Sequence, residues 1–420
     1  MNRTTYKWML IVAVMLLPVS SYTQDWTVYN TDNSGLPGND ITDIAIDING
    51  DTWIGTTDSG LAKYDGENWT VYNASNSDLP HNWVRSIAIG EAGDKWIGVS
   101  GGAVHIDVDD QWEVYNTDNS DIQSESIVSV AIESSGSVWL CNSGLSVFDG
   151  ESWINYDASN SGLQSNITID IEIDNNSVKW IANYTEGLVS FDDENWSHYT
   201  VDNSGLPGNG IETIFIDNYN TVWVAVYDHL SVTTQHGLVS YDGEFWINYN
   251  TNNSDIPSNN LRAISADVHN NIWVGASALG LARFDGINWI TYTTSNSELP
   301  SNSIRAITTN EDGEVWTGTT EGLAVLSHDV NNVSTHNEYD NQQVHVYPNP
   351  TRDNLTIEFE EDLSEGYTVE IYDFLGTLLV SKRYENVGQR TIDVSELAFG
   401  AYTIKIQAGE VVATRKFIKK

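Results

Sequence analysis

Apolar and polar positions alternate along this chain in short bursts, and the bursts recur at a fixed interval. Trp26-Thr27-Val28-Tyr29, Ile41 to Asp47, Thr52 to Thr56 and Leu61 to Tyr64 each show the period-two pattern of a half-buried strand. Turn chemistry divides them. Asn49-Gly50 separates the second from the third, and Asp65-Gly66 separates the fourth from the next tryptophan strand, as tight hairpins require. A tryptophan opens the first strand and another lies 27 residues on. The same interval recurs at Trp69/Trp96, Trp112/Trp139, Trp153/Trp180, Trp196/Trp223, Trp246/Trp273 and Trp289/Trp316, so fourteen of the sixteen tryptophans belong to a sevenfold repeat.

Four short antiparallel strands in about 43 residues, repeated, predict the blades of a β-propeller. Inner three-strand sets begin near Ile41, Val84, Ile127, Thr168, Ile211, Leu261 and Ile304, and a Trp-x-x-Tyr strand follows each set but the last. The missing strand is at the other end of the chain. Trp26 to Tyr29 precedes the first set with no blade of its own, so it is expected to complete the seventh blade and remove the open sheet edges. An open solenoid is the alternative. After an irregular linker at 329–343, a second pattern of strands at 344–347, 355–360, 367–372, 377–383, 389–394 and 401–407 suits an antiparallel sandwich. The expected fold is all-β: a seven-bladed β-propeller over 24–328 closed by the N-terminal strand, then a small antiparallel β-sandwich over 344–420.

Residues 1–23 read as a secretory signal, with Arg3 and Lys7 before an apolar run from Trp8 to Leu17 and then small and polar residues. No other apolar run approaches the roughly 20 residues that cross a bilayer. The single cysteine, Cys141, excludes an intrachain disulfide, and its place beside Trp139 in a predicted strand marks it as a buried thiol. The formal charge of −41 is concentrated in the repeats, where seven Lys and Arg face 47 Asp and Glu over 24–340. Such acidity argues against nucleic acid and anionic membranes as partners.

Length varies mainly in one place. The distance from the second tryptophan of a repeat to the next tryptophan is 16 in four repeats but 23 at Trp223–Trp246, and the extra residues fall between Tyr227 and His236. That segment joins the second and third strands of blade five, on the face that carries the Asn-Ser-x-Leu-Pro loops, where a rigid ring would place function. The rare cations are also informative. Arg85, Arg262 and Arg305 share one repeat position, sixteen residues after the leading tryptophan, near the channel mouth on that same face. Thr42, Val128, Ile169 and Glu212 hold it elsewhere. A partly cationic pocket over blades six, seven, one and two could hold a carboxylate through bidentate contacts; the alternative is that each arginine pairs with a local acid. Tyr184, Tyr227, Asp228, His229 and His236 complete the candidate ligand-binding set. The acids before the tight turns, Asp47, Asp174, Asp217 and Asp267 among them, are expected to cap their own hairpins rather than bind calcium, since each turn offers one carboxylate where calcium needs six to eight oxygens.

The repeat Asn-x-Ile-x-x-Ile-x-x-Asp, Gly-x-x-Trp-Ile-Gly-Thr, Gly-Leu-x-x-Tyr-Asp-Gly, legible at 39–66, 209–243 and 259–286, resembles the two-component regulator propeller repeat of Bacteroidota. Blade two departs from it, with Gly90 for the Asp and His105 for the aromatic. The resemblance implies a propeller that recognises an extracellular cue such as a glycan fragment; the membrane helix and kinase that follow in such sensors are not in this sequence, so direct signalling is not expected. The tail resembles a type A C-terminal sorting domain of the type IX secretion system, through Val346-Tyr347-Pro348-Asn349-Pro350, Leu355-Thr356-Ile357, Val369-Glu370-Ile371-Tyr372-Asp373, Gly376, 400–406 and the basic end 415–420. That resemblance implies export across the outer membrane, with the secretion machinery as a partner through 344–420.

Together these point to a secreted or cell-surface binding module for an extracellular glycan or peptide, with no catalytic residues, metal or cofactor assigned. Two other classes stay open: a polysaccharide lyase or glycosidase using the blade-five loop, in which His229 or His236 with Tyr227 would move a proton, and a structural or adhesive surface protein.

Overall fold

The computed structural model describes residues 25–227, 235–286, 288–328, 344–347, 351–359, 366–372, 378–384, 390–398, 400–408 and 411–419. The expected signal segment and linker lie outside them. Seven four-stranded antiparallel sheets account for residues from Asp25 to His328. In blade one, Ile41–Ile46, Thr52–Thr56, Leu61–Tyr64 and Trp69–Tyr72 run from the centre of the ring outward, and the next five blades repeat that order. Blade seven takes Ile304–Thr309, Val315–Thr319 and Gly322–His328 and borrows Asp25–Tyr29 as its outer strand, with Trp26 opposite Leu326 and Val28 opposite Ala324. The innermost strands touch their neighbours all the way round, blade seven against blade one. The ring is thus a closed seven-bladed propeller rather than a solenoid.

Packing follows from the repeat. Trp53 and its six equivalents are at most 7% exposed. Each core cluster draws on two adjacent blades: Trp53 and Leu61 of blade one meet Val84 and Ile87 of blade two, and Trp316 and Leu323 of blade seven meet Ile41 and Ile44 of blade one. Truncating a buried tryptophan of this kind costs about 3–5 kcal/mol, so the second-strand tryptophans are the mortar between sheets. Close approach is needed there. A Cβ on Gly318 would sit 2.6 Å from Ile41 Cγ2.

The turns at the far end of each blade behave as caps. Asp47 accepts the Asn49 and Asp51 N–H groups at 2.9 and 3.1 Å and the Trp53 indole N–H at 3.0 Å. Asp174, Asp217 and Asp267 each accept the corresponding indole N–H. One residue of each turn must take a positive φ, which Gly50 supplies without cost and Asn220 and Asn270 tolerate.

Beyond the propeller, two further antiparallel sheets share a separate core of Leu355, Ile357, Val369, Ile371, Ile404 and Phe417. Val344–Tyr347, Asn354–Phe359 and Arg390–Asp393 make one; Leu378–Tyr384, Tyr367–Tyr372, Gly400–Ala408 and Val411–Lys419 make the other. This is the expected sandwich. Among the described residues no helix is long and apolar enough to cross a membrane.

Candidate functional site

The loops of the Asn-Ser-x-Leu-Pro face satisfy themselves. In the first, Asn33 Oδ1 accepts the Asn30 N–H, Asn33 Nδ2 donates to the Val28 carbonyl, and Ser34 Oγ donates to the Asn30 carbonyl, at 2.7–2.9 Å. Asn39 Oδ1 accepts the Thr31 N–H at 2.9 Å, and Asn82, Asn166, Asn209, Asn259 and Asn302 do the same in later loops. The repeated residues therefore build the loops. Any chemistry particular to one part of this face lies at positions that differ between blades.

Two such positions ring the channel mouth. In blade one Ile41 pairs with Thr56 and Asp43 with Gly55, which leaves Thr42 as the extra residue of a β-bulge. The same irregularity falls on Arg85, Ile169, Glu212, Arg262 and Arg305. A bulge releases its extra residue from the ladder and re-aims the side chain, which turns a strand position into a rim position. The second variable position, just before the strand, runs Asp40, Trp83, Ser126, Ile167, Gly210, Asn260 and Ser303.

The three arginines all reach this rim, but with different partners. Arg305 pairs with Asp40 of blade one, Nε to Oδ1 at 3.2 Å. Arg262 pairs with Glu212 at 3.0 Å, a contact between bulge residues of adjacent blades, and donates to Ser277 Oγ at 2.9 Å. Both charges are compensated. Arg85 has no carboxylate partner among the described residues: its guanidinium stacks 4.0 Å from the ring centre of Trp83 and Nη1 donates to Ser126 Oγ at 3.0 Å. Its Nε–H is buried without a partner, and burial pulls its pKa below the usual value. Trp83 itself is 38% exposed and Ile167 54%. The rim over blades two to four is thus apolar with one uncompensated cation, whereas ion pairs occupy the opposite arc.

Tyr184 and Tyr227 are half-buried beside this rim, their N–H groups bonded to the Ile167 and Gly210 carbonyls at 3.0 and 2.8 Å. His236 packs on the loop entering blade five, where a Cβ on Gly208 would lie 2.6 Å from its Cδ2. Asp228 and His229 lie outside the described residues. Trp83 is the residue that sequence reasoning passes over. Its signal is visible nonetheless, because it alone among the propeller's tryptophans falls outside the 27-residue phase.

Deeper in the channel, side chains link neighbouring blades. Asp43 accepts the Ile87 N–H at 2.7 Å, Ser86 the Val130 N–H at 3.1 Å, and Asp170 the Ile214 N–H and the Ser129 hydroxyl, each at 2.8 Å. Burial raises Asp43 to about 6 against these hydrogen bonds, and burial with the charges of Asp170 and Asp43 raises Glu172 to about 8. Among the described residues no group of three or more His, Cys, Asp or Glu could hold a metal ion. Cys141 is fully buried, and burial pushes its thiol well above the ordinary range.

A model of the two component regulator propeller matches residues 35–58, and one of the secretion system C-terminal sorting domain matches residues 345–420. The first match falls in one blade of the propeller and the second covers the C-terminal sandwich. With such a tail it is a secreted or cell-surface protein. No curated protein matches it in sequence. Its fold is shared with the extracellular domain of a hybrid two component system from B. thetaiotaomicron, at 16% identity and a TM-score of 0.63 over 94% of this chain and 57% of that one. The extracellular domain of a one component system from the same organism aligns at 15% identity and 0.58, over 95% and 59%. A streptogramin B lyase aligns at 13% identity and 0.58, over 72% of this chain and 96% of its own. The chain thus spans less than two thirds of the two B. thetaiotaomicron chains.

Proposed function

We propose that this propeller is a non-catalytic recognition module outside the cell, and that its ligand is an acidic glycan or peptide held at the channel mouth over blades two to four. The observation that carries the reading is Arg85. In a domain where acids outnumber cations nearly sevenfold, this arginine lacks a carboxylate partner among the described residues and lies over the ring of an exposed tryptophan. A guanidinium desolvated on one face and short of acceptors gains strongly from an incoming carboxylate, while the free indole surface and Ile167 can pack against the apolar face of a sugar ring or side chain. The self-satisfied loops hold this surface in place, so little ordering opposes binding. Kinship of fold with extracellular sensor domains agrees with such a role.

The test is a glycan and peptide array probed with the secreted chain, alongside Arg85→Ala, at low and high salt. Salt-sensitive binding of acidic members that the variant loses supports the reading. Equal binding by the variant sinks it, and turnover of a bound polyuronide would move the protein to the lyase class.

A further inference from the structure

On the face opposite those loops, the seven seams between blades are variants of one arrangement. All set a second-strand tryptophan of one blade beside the turn of the next, and all but that of blade two, which has Gly90, add an acid near the tryptophan. Where blade one meets blade two, Lys95 lies 3.6 Å from Asp47 and 5.3 Å from the Trp53 ring centre. Where blade three meets blade four, Lys179 lies 3.1 Å from Glu133 and 5.1 Å from the Trp139 ring centre. The next two seams use an amide instead, Asn220 to Asp174 and Asn270 to Asp217, each at 3.2 Å. In blade two His105 stacks on Trp96, and in blade six Arg283 stands opposite Trp273.

The closing seam has the acid and the tryptophan but no cation. Glu314 accepts the Trp316 indole N–H at 3.3 Å and Asn310 Nδ2–H at 2.8 Å. Blade one then presents Thr52 at the repeat position of Lys95 and Lys179, and Gly50 at that of Asn220 and Asn270. With both positions small, a cleft of about 710 Å³ remains, walled by Tyr29, Tyr64 and Trp316 and bordered by Glu314. Among the described residues no Lys or Arg pairs with Glu314.

We propose that this cleft binds a primary ammonium group on an alkyl chain, as on a lysine side chain or a small aliphatic amine. The ammonium takes the place that Lys95 and Lys179 fill in the sister seams, against Glu314 and over Trp316, with its methylenes along Tyr29 and Tyr64. The site is independent of the channel mouth and lies on the other face.

The test is calorimetric titration of the full chain with n-butylammonium and with acetyl-Gly-Lys-Gly-amide, using n-butanol and acetyl-Gly-Gln-Gly-amide as neutral counterparts. Both charged probes, or either alone, should bind and the neutral ones should not; preference between the two tells a free amine from a lysine side chain. Glu314→Gln should weaken binding by about tenfold or more. Thr52→Lys should abolish it by filling the site from within, as Lys95 and Lys179 do in theirs; if that variant fails to fold, Glu314→Gln decides alone. No binding by either charged probe, equal binding by the neutral ones, or affinity unchanged in folded variants overturns the proposal.

Discussion

Replacing Lys179 by methionine removes a charge from the interior of the ring while keeping an unbranched side chain one heavy atom shorter. Lys179 is fully buried, with Nζ 3.1 Å from Glu133, 2.6 Å from Asp193 and 5.1 Å from the Trp139 ring centre. The two acids differ in what they lose. Asp193 is 59% exposed and returns to solvent, so its share is under about 1 kcal/mol. Glu133 is 12% exposed and is left as a poorly solvated charge, forfeiting a charge-assisted hydrogen bond of about 1.5–3 kcal/mol. The cation over Trp139 adds about 1–2 kcal/mol. The expected destabilisation is about 3–5 kcal/mol, the range for breaking a buried pair. At about 2 °C per kcal/mol for a domain of this size, the melting temperature should fall by roughly 6–10 °C. Thermal unfolding of the full chain by circular dichroism at neutral pH measures it. Adding Glu133→Gln removes the stranded charge and should restore about 1–2 kcal/mol, a coupling that a double-mutant cycle isolates. Lys179→Met melting within 1 °C of the parent (roughly 0.5 kcal/mol), or a double variant less stable than the single one, would refute the interior-clip argument.

The channel carboxylates make stability depend on pH. Asp43 and Glu172 titrate higher in the folded chain, at about 6 and about 8, than ordinary carboxylates, so the folded state holds protons that the unfolded chain releases. Stability therefore falls as pH climbs from the usual carboxylate range to about 8. Melting at pH 5.5 should exceed melting at pH 8.5, and Glu172→Gln should raise the latter and flatten the difference. Asn220→Ala should cost about 1–2 kcal/mol, since it loses the bond to Asp174 and a residue suited to positive φ, and Asn220→Gly should cost less; thermal melts compare them. Cys141 should resist a thiol reagent in the native protein and react at once in denaturant, as mass spectrometry of pulse-labelled samples would show.

The architecture was legible because one spacing carried it. A pair of tryptophans 27 residues apart marks an outer strand and the core of the next blade in every repeat, and an orphan outer strand at Trp26 announces the closure. The rim was less legible. A bulge is a mismatch in count between two paired strands, so nothing at Arg85 or Arg262 alone reveals that the ladder skips there. Nor does sequence spacing reveal that Glu212, fifty residues before Arg262, meets it across a seam. Trp83 was hidden for a different reason: repeat logic reads tryptophan as scaffold, and the one that breaks phase is the one left at the surface. The closing seam needed the same comparison. Thr52 and Gly50 are unremarkable residues until set beside Lys95, Lys179, Asn220 and Asn270.

The central claim is that recognition belongs to the Trp83–Arg85 side of the mouth and not to the ion-paired side. Titrating tetragalacturonate and an aspartate-rich peptide into the parent chain, Trp83→Ala and Arg262→Ala measures this directly. The account predicts that Trp83→Ala loses about tenfold or more in affinity for whichever ligand binds, while Arg262→Ala, whose charge already answers Glu212, changes it less than about twofold. Trp83→Ala binding as tightly as the parent, or Arg262→Ala proving the more damaging change, would contradict it.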